Sequence, residues 1–224
     1  MAPPFSRRDF LSTLGVGAAV SATGAPLHAA VTPPEHLVPL NADWDVSWTD
    51  RVNGKFRAVF DSPEIHDGSA MYRAIFWRDQ YKEVYGTPPE EMSAVLVIRH
   101  AAIAMVMNDA FWAQHQLGKA EKIKDPTTKK WTTVNPFRAA AADTPPQWAK
   151  YSLEAFLKSG GIVLGCNLAF GQMVGMVGEK EKLKGEAARA RALEFLIPGV
   201  ILQPSGAFAA MRAQQAGCHY MLAS

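Results

Sequence analysis

The chain has 224 residues, 48% of them hydrophobic and 20% charged, which is enough to bury one sizeable core. Its formal net charge is +2 and the charges are scattered, so neither nucleic acid nor an anionic membrane surface is expected as a partner.

Residues 1–30 read as a twin-arginine export signal. In "SRRDFLSTLGVGAAVSATGAPLHAA", Arg7 and Arg8 precede Phe10 and Leu11, a run that Gly15 and Gly17 keep weakly apolar follows, and small residues lead to a cleavage point near Ala30. That apolar run is about half the length needed to span a bilayer, so the mature chain is expected to be periplasmic and not membrane-embedded. Two cysteines in an oxidising compartment then raise the question of a disulfide.

Residues 31–55 form an N-terminal arm. "VTPPEHLVPLNAD" holds three prolines and reads as extended, and Trp44, Val46 and Trp48 alternate with polar residues ahead of an Asn53-Gly54 turn. That pattern fits a hairpin with "FRAVFD" (56–61); the same six residues also fit an inner parallel strand, and the two are mutually exclusive. A helix over "GSAMYRAIFWRDQYKEVYG" stops at Gly86, and "SAVLVIRH" (93–100) reads as a strand buried on both faces. The spacing then predicts a helix from about Ala101 to Leu117, and an excursion over 119–137 with two short strand-like pieces around Asp125-Pro126.

Beyond the excursion, a helix over "PPQWAKYSLEAFLKSG" starts on prolines and ends on Gly160. "GIVLGC" (161–166) is a strand, followed by a glycine-interrupted helix and a charged one. "GVILQPSG" (199–206), the helix "AFAAMRAQQAG" and "CHYML" (218–222) supply the last two strands. Strand and helix alternating five times argue for an α/β fold: one domain over 56–224, a three-layer α/β/α sandwich around a five-stranded parallel sheet.

Ligands of open parallel sheets bind beyond the carboxyl ends of the strands. Those ends carry Asp61, His100, Cys166 and Ser205, with strands about 4.8 Å apart, so one crevice is expected to gather them. Cys166 is the main candidate, because a helix begins at Asn167 or Leu168 and the amino end of a helix favours thiolate over thiol. His100 is the candidate base or cationic partner, and Asn108, Asn167 and Gly206 are candidate ligand contacts beside Asp61 and Ser205. Each has a structural reading as well: Cys166 as a small buried apolar residue, His100 bonded to a carbonyl, and Ser205 as a helix cap. A disulfide from Cys166 to Cys218 is not expected, since the two cysteines lie at opposite edges of the sheet, roughly 16 Å apart, against a limit near ~7 Å between bridged Cα atoms. The Met and His residues of 105–115 could suggest a metal, but Met at helical spacing is usually core. No nucleotide-binding glycine pattern and no paired-histidine zinc motif occurs, so no cofactor is called for.

The carboxyl-terminal half, "GGIVLGCNLAF", a charged helix and then "LIPGVILQPSGAFAAMRAQQAGCHYMLAS", resembles the DsrE/DsrF-like family of sulfur-oxidation proteins. The resemblance spans about Phe56 to Ser224 and is strongest from Gly161 onward. It implies a DsrE-like fold, assembly into homo-oligomers, and a cysteine that carries sulfane sulfur as a persulfide, a position that Cys166 matches. The export signal, the arm, the excursion and Cys218 depart from the family's pattern. Three functions stay open: sulfane-sulfur binding or transfer through Cys166, tuned by His100; a non-catalytic homo-oligomeric module that binds a small ligand or partner protein; and a metal or haem site at His100.

Overall fold

The computed structural model describes residues 44–224; the segment read as an export signal and the proline-rich part of the expected arm lie outside the described residues. The five strands are β1 (Phe56–Ser62), β2 (Met92–Ile98), β3 (Ile162–Cys166), β4 (Val200–Gln203) and β5 (His219–Leu222). All neighbours are parallel, in the order β4-β3-β2-β1-β5. The chain steps from β1 to β4 in one direction and then crosses back beyond β1. Because crossovers are right-handed, that reversal moves the last crossover helix to the opposite face.

Helices therefore cover the two faces unequally. One face carries α1 (Ser69–Tyr85), α2 (Asp109–Gln114), α3 (Leu117–Ala120), α4 (Pro146–Ala149), α5 (Leu153–Lys158), α6 (Asn167–Glu181) and α7 (Gly185–Leu193). There Phe60, Leu96 and Val163 pack against Met71 and Ile75 of α1, Phe156 of α5 and Phe170 of α6. The other face is closed by α8 (Gly206–Gln215), whose alanines 209, 210 and 213 lie against Val59, Val95, Val97, Ile162 and Leu164, with fully buried Trp48 beside them. Small residues let α8 approach the sheet closely. Every residue of the central strand β2 is buried, as expected of a strand covered on both faces, and every residue of edge strand β5 is exposed.

The expected sandwich is present, and four local readings are corrected. Of the two readings of 56–61 the inner parallel strand holds and, among the described residues, no hairpin precedes β1: Ser47–Arg51 is a turn of 3-10 helix that delivers Trp48 to the core, and β1 is paired on both sides, by β2 and β5. The helix expected over Ala101–Leu117 is broken into a 3-10 segment, His100–Val106, then α2 and α3. Residues Ala102–Met107 are all buried, so they lack the one-sided apolar stripe of a surface helix, and Met107 bridges to Leu196 instead. The helix expected before Gly160 is likewise two, because Ser152 caps α5 and the Leu153 N–H donates to the Phe137 carbonyl. In the excursion, the strand-like pieces reduce to one bridge, Lys124 to Trp131, around a turn in which Asp125 Oδ1 accepts from the Thr127 and Thr128 N–H groups.

Asn135, 3% exposed, fastens that excursion to the body. Its Nδ2 donates to the carbonyls of Met105 (2.7 Å) and Met107 (2.6 Å), and its Oδ1 accepts from the Phe137 N–H (2.9 Å). The excursion passes so close to α3 that a Cβ on Gly118 would collide with the Thr132 carbonyl.

Candidate functional site

The carboxyl edge of the sheet is built from the residues just past each strand. β3 runs directly into α6, and Cys166 is its cap: Sγ accepts from the Ala169 N–H at 3.5 Å, while the residue is 6% exposed. Fifteen residues of helix then align their peptide dipoles toward this sulfur.

β2 ends at Ile98, two residues earlier than the sequence pattern suggests, and the chain turns sharply at His100, which has φ of 50°. The turn carries the imidazole outward: Nδ1 lies 3.3 Å from Glu64 Oε1, with the two side chains 70% and 58% exposed. No hydrogen bond joins His100 to Cys166 among the described residues.

Asp61 is occupied in another way. It is 2% exposed, and both its oxygens are held by Arg99, Nε to Oδ1 at 2.8 Å and Nη2 to Oδ2 at 2.9 Å, while the Tyr220 hydroxyl donates to Oδ2 at 2.6 Å. The Asp61 hydrogen bond pushes the Arg99 guanidinium further above its ordinary range, and the same carboxylate raises the Tyr220 phenol. The stem of Arg99 lies on the first turn of α8, where a Cβ on Gly206 would come within 2.5 Å of Arg99 Cβ and Cδ. Ser205 caps α8 through Phe208 N–H at 3.1 Å, and Asn108 caps α2 through Phe111 N–H at 3.1 Å. Asn167 opens α6, with its buried Oδ1 unpartnered.

The predicted site residues thus separate. Asp61, Ser205 and Gly206 gather around Arg99; His100 turns to Glu64; Cys166 and Asn167 open α6; and Asn108 serves α2. Sequence reading missed Arg99, Tyr220 and Gln203. The last paired residues at this edge are Ile98 with Gly165 and Cys166 with Gln203; Arg99 follows the end of the pairing between β2 and β3, and its side chain runs to Asp61 of β1 on the other side. Arg99 continues the parity of Val95 and Val97 toward α8, where its stem meets Gly206, whereas Cys166, where the chain turns into α6, packs in the larger cluster on the opposite face. Gln203, fully buried, donates to the Asp45 carbonyl at 2.7 Å and leaves Oε1 unpartnered. A signal for Arg99 existed: Asp61 lies in a buried strand and needs a cation, and Arg99 continues the parity of the adjacent strand.

Both thiols are free. Cys218, just before β5, has its thiol pushed up to about 12 by burial, with Arg57 opposing. The fold therefore favours its protonated form. The stabilisation is complete below the ordinary thiol value of 9.0 and is lost as pH rises through about 12. Iodoacetamide at pH 8 is expected to leave Cys218 unmodified in the folded protein, whereas both cysteines react after denaturation without reductant. Rapid labelling of Cys218 in the folded state would contradict its placement.

No family model matches the chain, and no curated protein matches it. Among the described residues no group of three or more His, Cys, Asp or Glu side chains could hold a metal ion, and no helix is long and apolar enough to cross a membrane.

Proposed function

We propose that this chain is an exported, periplasmic thiol protein of the DsrE-like kind that accepts sulfane sulfur on Cys166 and passes it on as a persulfide. The observation that carries this reading is the cap geometry: Cys166 Sγ takes the Ala169 N–H at the amino end of α6, at the carboxyl edge of a parallel sheet. In the first step the thiolate attacks the terminal sulfur of a donor. A sulfur–sulfur bond forms on Cys166, the donor's own bond to that sulfur breaks, and the leaving group departs with the electron pair. The second step reverses this toward an acceptor thiolate, so no outside oxidant is needed.

His100, to which the sequence pattern gave the cationic role, faces Glu64 instead. Intact mass after incubation with thiosulfate or polysulfide tests the reading. Increments of about 32 Da on the parent protein and their loss in Cys166→Ser are expected; no adduct with any donor would end it. The second reading, a homo-oligomeric module that binds a small ligand or partner without chemistry, draws support from the 6% exposure of Cys166. On that reading Cys166→Ser behaves like the parent. Metal or haem binding at His100 gains nothing from the geometry, because among the described residues no group of three or more His, Cys, Asp or Glu side chains gathers there to hold a metal ion.

A further inference from the structure

We propose that the cavity at the amino edge of the sheet, between α1 and the start of β5, is a binding site for a flat aromatic anion such as an aromatic carboxylate. It lies at the opposite edge from Cys166 and does not depend on the thiol reading.

The cavity exists because two parallel neighbours differ in length. β1 begins at Phe56, but its pairing with β5 begins only at Ala58 with His219, so Phe56 and Arg57 run past the end of their neighbour. The opening left there measures about 520 Å3, within the range of small-molecule sites. Its wall is aromatic. Tyr81 of α1 meets Phe56 edge-on with ring centroids 4.9 Å apart, Trp77 meets Tyr81 at 5.2 Å, and all three rings are half-buried. Lys55 Nζ stands 5.1 Å from the centroid of the Phe56 ring, which sets an ammonium against the same wall. Exposed His219 faces the α1 side, because its partner Ala58 belongs to the cluster beneath α1.

The rim is fixed before any guest arrives. Arg57 Nε donates to the Gly54 carbonyl at 2.6 Å and its Nη1 to the Ala216 carbonyl at 3.1 Å, so one guanidinium ties the turn that carries Lys55 to the turn that precedes β5. A site held in this way loses little freedom on binding.

The chemistry of the lining selects the guest. Ring walls favour a flat apolar body. Among the described residues the Lys55 ammonium, the Trp77 indole N–H and the Tyr81 hydroxyl donate no hydrogen bond, and none of the residues that line the cavity is acidic. Donors without acceptors, beside a lysine without a carboxylate, favour negative charge. Ring faces also attract cations, but Lys55 already fills that role on Phe56.

The test titrates the full chain by calorimetry with three probes of like shape: naphthoate, naphthylmethanol and naphthylmethylammonium. Naphthoate is expected to bind one site per chain, about fivefold or more tighter than the alcohol, the scale of one exposed charge pair, with the ammonium weakest. Lys55→Glu, at an exposed position, is expected to abolish the advantage of naphthoate while the alcohol changes less than about twofold. Tyr81→Ala is expected to weaken naphthoate and the alcohol alike, about threefold or more; circular dichroism confirms folding of both variants, and Lys55→Glu decides alone if Tyr81→Ala does not fold. Cys166→Ser is expected to bind naphthoate like the parent. The site is overturned by naphthoate that binds no better than the alcohol, by affinity indifferent to Lys55→Glu, by loss of binding in Cys166→Ser, or by no saturation with any probe at millimolar concentration.

Discussion

Replacing Arg99 with alanine is expected to cost the folded state about 3–5 kcal/mol, the loss typical when one partner of a buried ion pair is removed. Asp61 is 2% exposed and its carboxylate would keep a single hydrogen bond, from Tyr220. Lys150 and Asp79 form a contrasting pair, at 2.5 Å with side chains 47% and 38% exposed, and breaking it is expected to cost at most about 1 kcal/mol. Urea unfolding measures both, with the slope against denaturant unchanged. The double change Asp61→Asn/Arg99→Gln is expected to recover more than half of the loss, because no charge is left stranded. A cost below about 1 kcal/mol for Arg99→Ala would mean that Asp61 reaches water or another donor.

The second large effect lies at Asn135. Asn135→Ala leaves the carbonyls of Met105 and Met107 and the N–H of Phe137 without their partner, each inside the protein. An unpaired buried group costs about 1–3 kcal/mol, so a total of at least about 3 kcal/mol is expected, together with earlier proteolysis across 119–137. Asn135→Asp keeps the shape but turns an acceptor toward two carbonyl oxygens, and is expected to be as damaging at neutral pH. Wild-type stability in Asn135→Ala would show that water replaces the side chain.

The large elements were legible because their apolar patterns are unambiguous. Met92–Ile98 is a continuous run buried on both faces, and Gly86 ends α1 where the pattern stops. The segment Ala102–Met107 was not legible, since a stretch that is apolar all round has no period, and only the bridge from Met107 to Leu196 decides its path. Asn135 was invisible for another reason. An asparagine in a polar loop looks like turn chemistry until tertiary contacts bring two carbonyls to its amide. At the site, Cys166 could be placed from its neighbours because a strand end and a helix start are both local features. His100 drew attention through its chemistry, yet the backbone turn at that residue faces it outward, and the adjacent Arg99 inherits the inward position through strand parity.

The clasp on Asp61 also sets an order of events. Tyr220 lies 159 residues after Asp61, and just past the same strand the Ala223 N–H donates to the Asp61 carbonyl at 2.9 Å while the Ala223 carbonyl accepts from the Ser69 hydroxyl at 2.9 Å. A ribosome makes β1 to β4 first, so the growing chain can assemble four strands and pair Arg99 with Asp61 while β1 still presents a bare edge. Such an edge is a template for another chain. Synthesis of β5 seals that edge and completes the grip on the buried carboxylate at one stroke. A chain cut short before β5 would carry both defects together, an open sheet and a buried carboxylate that has lost its tyrosine.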